Sequence, residues 1–295
     1  MLFGLVSRHY INGFEDLITN TQNYIFHHAE TGYREYKTAK YLEDIFESLG
    51  YTLCRADGIP GFYTVVDTGR EGPEVLILGE LDSILCAEHP NADKTTGAAH
   101  TCGHSAQCAA LVGIAAALSQ KGALSGLCGK IRLCAVPAEE LIEIEYRKNL
   151  KAEGKITYMG GKPEFLRRGY FDGVDLAFMV HTRVGDDVTT SACTDMGDLS
   201  VLMPVVHPYA PGATGLDHGK NYFIKDTSKA CVMSSKWQLE MLRLLLENGA
   251  ERAKHILADF KPLFPSKQEY FEYIDSFTRT GDRITHSDSD AQISL

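Results

Sequence analysis

The sequence predicts a layered α/β fold with a largely covered sheet, and three observations point to it. Short apolar, β-rich runs at 62–66, 75–78, 130–136 and 176–180 alternate with stretches of helical period. These runs are apolar at successive positions, the pattern of strands covered on both faces. The chain has 295 residues, 44% hydrophobic and 23% charged, so it can bury a sizeable core as one large domain or two smaller ones.

Each element follows in order. Residues 14–50 read as helical, with apolar positions spaced by three and four through Leu17, Tyr24 and Ile25, then Ala39, Leu42, Ile45 and Leu49. Gly32 interrupts this stretch, and Gly50 stands where a helix-closing glycine belongs. The strands at 62–66 and 75–78 flank a turn at 68–73 that contains two glycines. An alanine- and leucine-rich helix is expected over 103–120, then strands at 130–136 and 176–180. Helical period returns over 237–257 through Leu239, Leu242, Leu246 and Ala250. The polar stretch 280–289 has few apolar anchors and reads as a loose tail.

Composition excludes several classes. Net charge is −10 and no Lys/Arg-rich run appears, which argues against nucleic acid or an anionic membrane as partner. No apolar stretch approaches the ~20 residues of a membrane span. Residues 1–12 lack the apolar region and small-residue site of a signal peptide, so a cytoplasmic protein is expected. The eight cysteines include no CxxC pair and read as free thiols, Cys134 as a core residue within its strand.

Candidate chemistry gathers where strands end. The run 75–78 leads into Gly79-Glu80-Leu81-Asp82, the alanine-rich helix opens on His100-Thr101-Cys102-Gly103-His104, and the run 130–136 ends in Pro137-Ala138-Glu139-Glu140. In open α/β sheets, sites collect beyond the carboxyl ends of strands. Thiolate, imidazole and carboxylate together are what a divalent transition metal selects. Of two adjacent glutamates, one can bind metal while the other takes a proton. Each piece alone has a bland reading: a CxH triplet can be core, and a Glu-Glu pair can be solvated surface. His89, His100 and His207 read as structural or solvated.

Taken in order, these three segments resemble the M20 metallopeptidase family, specifically the amidohydrolase branch that includes aminobenzoyl-glutamate, hippurate and auxin-conjugate hydrolases. His27-His28-Ala29-Glu30-Thr31-Gly32-Tyr33-Arg34-Glu35 is similar to that branch's opening segment. Thr194-Asp195-Met196-Gly197-Asp198-Leu199-Ser200 and Pro211-Gly212-Ala213, followed by His218, resemble its C-terminal catalytic segment. The similarity runs from about Thr21 to Leu246. It implies a three-layer catalytic domain, like the zinc peptidases, with a central mixed sheet flanked by helices. Two divalent metal ions (zinc, manganese or cobalt) are implied, with Cys102, His104, Glu140, His181 and His218 as ligands and Cys102 bridging. Glu139 then matches the general base, and Asp82 an aspartate that orients the metal site from behind.

The resemblance further implies hydrolysis of the amide bond of an N-acyl amino acid or similar small amide. A dipeptidase or carboxypeptidase of the same family would share every residue named. Relatives carry a lid and dimerisation domain between the fourth ligand and the C-terminal segment, whereas here only the twelve residues 182–193 separate His181 from Thr194. A single catalytic domain, 1–295, with the lid absent at about 183–193, is therefore expected. So is a monomer where lidded relatives are homodimers, and with it the alternative of a metal-binding domain of little activity.

Overall fold

The computed structural model describes residues 11–185 and 194–277, and the backbone of 284–286 and 291–293. Helices α1 (Glu15–Phe26) and α2 (Tyr36–Ser48) lead into strands β1 (Cys54–Arg55), β2 (Phe62–Asp67) and β3 (Glu74–Glu80). A short ribbon of β4 (Ile84–Leu85) and β5 (Ala98–Ala99) precedes α3 (His104–Leu118), β6 (Lys130–Val136), α4 (Ile144–Ala152) and α5 (Gly161–Arg167). Then come β7 (Leu176–Phe178), β8 (His181–Val184), α6 (Met196–Ser200), β9 (Val205–Val206), β10 (Tyr209–Thr214) and β11 (Phe223–Ile224). A π-helical turn, Ser228–Met233, opens into α7 (Ser234–Leu246), followed by α8 (Glu251–Asp259) and α9 (Lys267–Ser276).

The main sheet has the order β1-β2-β6-β3-β7-β9. It is mixed: β3, β6, β7 and β9 run parallel, while β2 pairs antiparallel with β6. Strand alternation divides the core into two layers. Val75, Ile77, Ile131 and Leu133 face α1, α2, α3 and α7, whereas Leu76, Leu78, Cys134 and Val136 face α5, α6 and α9. All seven residues of β3 are buried, as its unbroken apolar run requires. The expected three-layer α/β architecture with a mixed sheet is thus the one observed.

Two boundaries differ from expectation. The run 176–180 leaves the main sheet after Phe178, and its continuation, β8, pairs in parallel with β10 in a second sheet of order β11-β10-β8. The helical stretch 237–257 is broken at 247–250, where Asn248, Gly249 and Ala250 all take positive φ. A left-handed segment cannot continue an α-helix, so the apolar stripe is carried by two helices. Most of 280–289 lies outside the described residues; Ile284–His286 pairs antiparallel with Ala291–Ile293. Helix α9 escapes a periodicity reading, yet Ser266-Lys-Gln-Glu269 has capping-box spacing, and Ser266 Oγ accepts from Glu269 N–H at 3.2 Å.

Candidate metal centre

The end of β6, the turn before α3 and the start of β8 converge on one cavity of about 340 Å3, with the end of β3 behind it. Gly103 makes the convergence possible. It sits at φ 111°, and a Cβ there would lie 2.9 Å from the Thr182 carbonyl oxygen. Only glycine lets the Cys102-Gly103-His104 turn press against β8 so closely. As a result Cys102 Sγ comes to 3.4 Å from His181 Nε2.

The donors form two groups that share one sulfur. Cys102, His104 and His181 have ligand atoms within 4.8 Å of one another, and so do Cys102, Glu140 and His218. His218 Nε2 is 3.1 Å from Glu140 Oε1, and its backbone N–H donates to the Thr101 carbonyl at 2.8 Å. That bond pins the left-handed His218 (φ 62°) against the Cys102 turn. A third cluster joins Glu80, His104 and Glu139. Its Glu80 is already committed, since Lys162 ion-pairs with it and Gln107 Nε2 donates to it at 2.9 Å.

Asp82 holds the arrangement from behind. Its Oδ2 accepts from the Glu140 backbone N–H at 2.9 Å, and its Oδ1 lies 3.2 Å from His104 Nδ1. His104 Nδ1 donates to the Asp82 carbonyl at 2.9 Å, which directs Nε2 toward Glu80 and Glu139, at 3.1 and 3.8 Å. The Arg147 guanidinium, fully buried, donates to the Glu140 carbonyl and at 2.7 Å to that of Met159. Ala138 at φ 57° sets the turn that presents the two glutamates.

Charge separates the paired glutamates. Burial and the Glu80 carboxylate push Glu139 up to about 9. Burial also raises Glu140, but the hydrogen bond from His218 and the charge of His104 outweigh it and hold the group below its ordinary value. Burial likewise opposes ionisation of Cys102, yet His104 and His181 bring the thiol down to about 6. Hydrogen bonds with Cys102 and Glu140 raise His218 to about 10. The cluster thus favours thiolate and carboxylate beside imidazolium, with protons held where metal ions would compete for the same lone pairs. His104 Nε2 lies 3.1 Å from Glu80 and Glu140 Oε1 lies 3.1 Å from His218, and neither makes a further hydrogen bond among the described residues. Imidazole and carboxylate donors grouped around a shared soft sulfur fit a pair of divalent ions.

All seven residues singled out from sequence meet here: Cys102, His104, Glu140, His181, His218, Glu139 and Asp82. His89 is buried, with Nε2 donating to the Tyr222 carbonyl at 2.8 Å, and His100 is buried away from the cavity lining. His207 departs from expectation. It lines the cavity, because parallel pairing of β10 with β8 lays its segment beside His181, with ring centroids 6.0 Å apart. Arg183, Tyr209 and the buried Lys162–Glu80–Asp195 network also went unread, as none stands in a motif that names its partner.

No family model matches the chain. It is 29% identical over 171 residues to one of the p-aminobenzoyl-glutamate hydrolase polypeptides of Escherichia coli strain K12, covering 55% of this chain and 32% of that protein. It is 24% identical over 172 residues to the N-acetyl-L-cysteine deacetylase of Bacillus subtilis strain 168, covering 57% and 37%. The chain therefore spans about a third of the length of each of these relatives. Among solved structures, the Bacillus subtilis YXEP protein, a dinuclear metal binding peptidase of the M20 family, superposes with a TM-score of 0.67. That match has 14% identity and covers 80% of this chain and 99% of that one. No helix among the described residues is long and apolar enough to cross a membrane. By sequence the chain is a relative of the amidohydrolases, and its fold is that of the M20 dinuclear metal peptidases.

Proposed function

We propose that this chain hydrolyses the amide bond of an N-acyl amino acid, or a similar small amide, at a two-ion centre held by Cys102, His104, Glu140, His181 and His218. The observation that carries the reading is that Cys102 Sγ belongs to both donor groups, the arrangement a bridging ligand needs. Two divalent ions, zinc, manganese or cobalt, would supply Lewis acidity that polarises the substrate carbonyl and acidifies a water.

The remaining work falls to side chains. Glu139 lines the cavity, where it accepts the proton of the attacking water and hands it to the leaving amine. Glu140, held below its ordinary value, stays charged as a ligand must. Asp82 keeps His104 and the Glu140 backbone in register with the cavity. We assign residues 1–295 to a single catalytic domain without a lid at about 183–193, and expect a monomer. A missing lid would withhold an oxyanion donor, worth ~3–4 kcal/mol in other enzymes. The seven described cysteines are free, which supports a cytoplasmic location.

The test is metal analysis of protein purified without chelator, joined to an assay for amino acid released from N-acyl amino acids after zinc, manganese or cobalt loading. About two ions per chain and metal-dependent release are expected. Ions bound without any release would leave only a metal-binding domain.

A further inference from the structure

The cavity holds three carboxylates, Glu139, Glu140 and Asp217, and among the described residues lining it Arg183 is the one lysine or arginine. Its position follows from strand geometry. Successive residues of a strand point to opposite faces, so His181 and Arg183 both face the cavity while Thr182 between them is buried in the other direction. Parallel pairing of β8 with β10 places Tyr209 opposite His181, and His207, two residues before Tyr209, faces the same way.

The Arg183 guanidinium lies over the Tyr209 ring, 5.2 Å from its centroid. Stacking fixes the plane of the fork and leaves its edge free for an acceptor. Arg183 Nη1 is buried and has no hydrogen-bond partner among the described residues, and the same is true of His207 Nε2. Two buried nitrogens without partners, on adjacent segments of one wall, form an incomplete site: leaving such groups unpaired is costly, and an incoming acceptor relieves the cost.

We propose that Arg183, with His207 as a second donor, forms a subsite for a carboxylate, namely the free α-carboxylate on the amino-acid part of the substrate. The identity of the ligand rests on the hydrolase reading above; the existence of the subsite does not. A guanidinium fork matches a carboxylate in two parallel hydrogen bonds. In a cavity otherwise lined by carboxylates, an anionic substrate has one favourable orientation, with its charge at Arg183 and the scissile amide toward Glu139. The subsite thereby selects N-acyl amino acids over uncharged amides, from within this domain.

The probes are N-acetyl-L-alanine and N-acetyl-L-alanine amide, titrated calorimetrically into metal-loaded protein carrying Glu139→Gln so that neither is consumed. The acid should bind ~10- to 100-fold tighter than the amide, the range of a charge-assisted hydrogen-bonded pair. Adding Arg183→Met should abolish the difference, and Arg183→Lys should restore part of it. Equal binding of the two probes, or a preference for the acid that survives Arg183→Met, would overturn the subsite. Hydrolysis by the otherwise native protein is scored separately with both probes. Preferential binding without turnover refutes the hydrolase reading and leaves the subsite standing; turnover with an unchanged preference in Arg183→Met does the reverse.

Discussion

Lys162→Met should cost this protein a large part of its stability. The Lys162 side chain is 0% exposed and is ion-paired with Glu80 (1% exposed) and Asp195 (11% exposed), so solvent screens neither contact. Burial favours loss of the lysine proton, but the Asp195 and Glu80 charges overcome this and raise its affinity for the proton. Methionine fills much of the same volume without the ammonium, which leaves two carboxylates buried together. Glu80 keeps only Gln107 and the His104 contact at 3.1 Å, while Asp195 keeps a 3.0 Å bond from the Lys162 backbone N–H. Removing one partner of a buried pair costs ~3–5 kcal/mol. At ~2–4 °C per kcal/mol for a chain of this order of size, the melting temperature should fall by ~6–20 °C.

Circular dichroism melts in chelator would measure the change, with Glu80→Gln added to Lys162→Met as the companion that relieves one stranded charge and recovers part of the loss. The pH dependence has a defined sign. In the wild type, burial works to raise Glu80, but Lys162 outweighs it and holds the carboxyl below its ordinary pKa, so its contribution to stability is lost as pH falls. In the variant the stranded carboxylates have raised pKa values, so their penalty is relieved as pH falls. Both effects narrow the gap between the two proteins in acid. A loss below ~1 kcal/mol, or a gap that widens toward acid, would refute the account.

Glu139→Gln should keep its metal and lose hydrolysis, whereas Glu140→Gln should lose metal affinity; metal titration of both variants decides, and equal affinity would show the pair misassigned. Cys102 should react with iodoacetamide quickly in chelator, with a rate that rises around pH 6, and slowly once metal is added. Equal rates in both states would make it an ordinary thiol. Asp82→Ala should weaken metal binding ~10- to 100-fold, because it frees both His104 and the Glu140 backbone; an unchanged affinity would remove Asp82 from the positioning role.

What could be read in the sequence was what is written locally. The apolar runs that became β3 and β6 announce their burial on both faces, and the residues where they end announce the donors, because a charged pair just past a covered strand has few bland explanations. His181 and His218 were legible only through likeness to a family, since nothing in the polar segment around His218 fixes where it folds. Arg183 and His207 were illegible for a sharper reason. Their shared wall exists because the chain changes sheets after Phe178, and a pattern of apolar residues does not record which sheet a strand will join. Lys162 was hidden similarly: its partners are 82 and 33 residues away in sequence, and only the packing of α5 under the sheet brings them together.

The donors are divided between the two sheets. Cys102, His104 and Glu140 hang from elements of the main sheet and its helices, whereas His181 opens β8 of the small sheet and His218 lies in the connection between β10 and β11. An ion held by both sets is a rivet between the layers, and the free energy that tightens it is also cohesion between them. Affinity can therefore be spoiled far from any donor. Gly212, in β10 at φ 130°, has the Ala230 nitrogen and the Asp226 carbonyl oxygen 2.7 Å from where a Cβ would stand. Any side chain there would wedge the small sheet off the π-helical turn and shift the two halves of the donor set apart, so under the proposed two-ion reading the grip on the ions would depend on how the layers are clamped as much as on the ligands themselves.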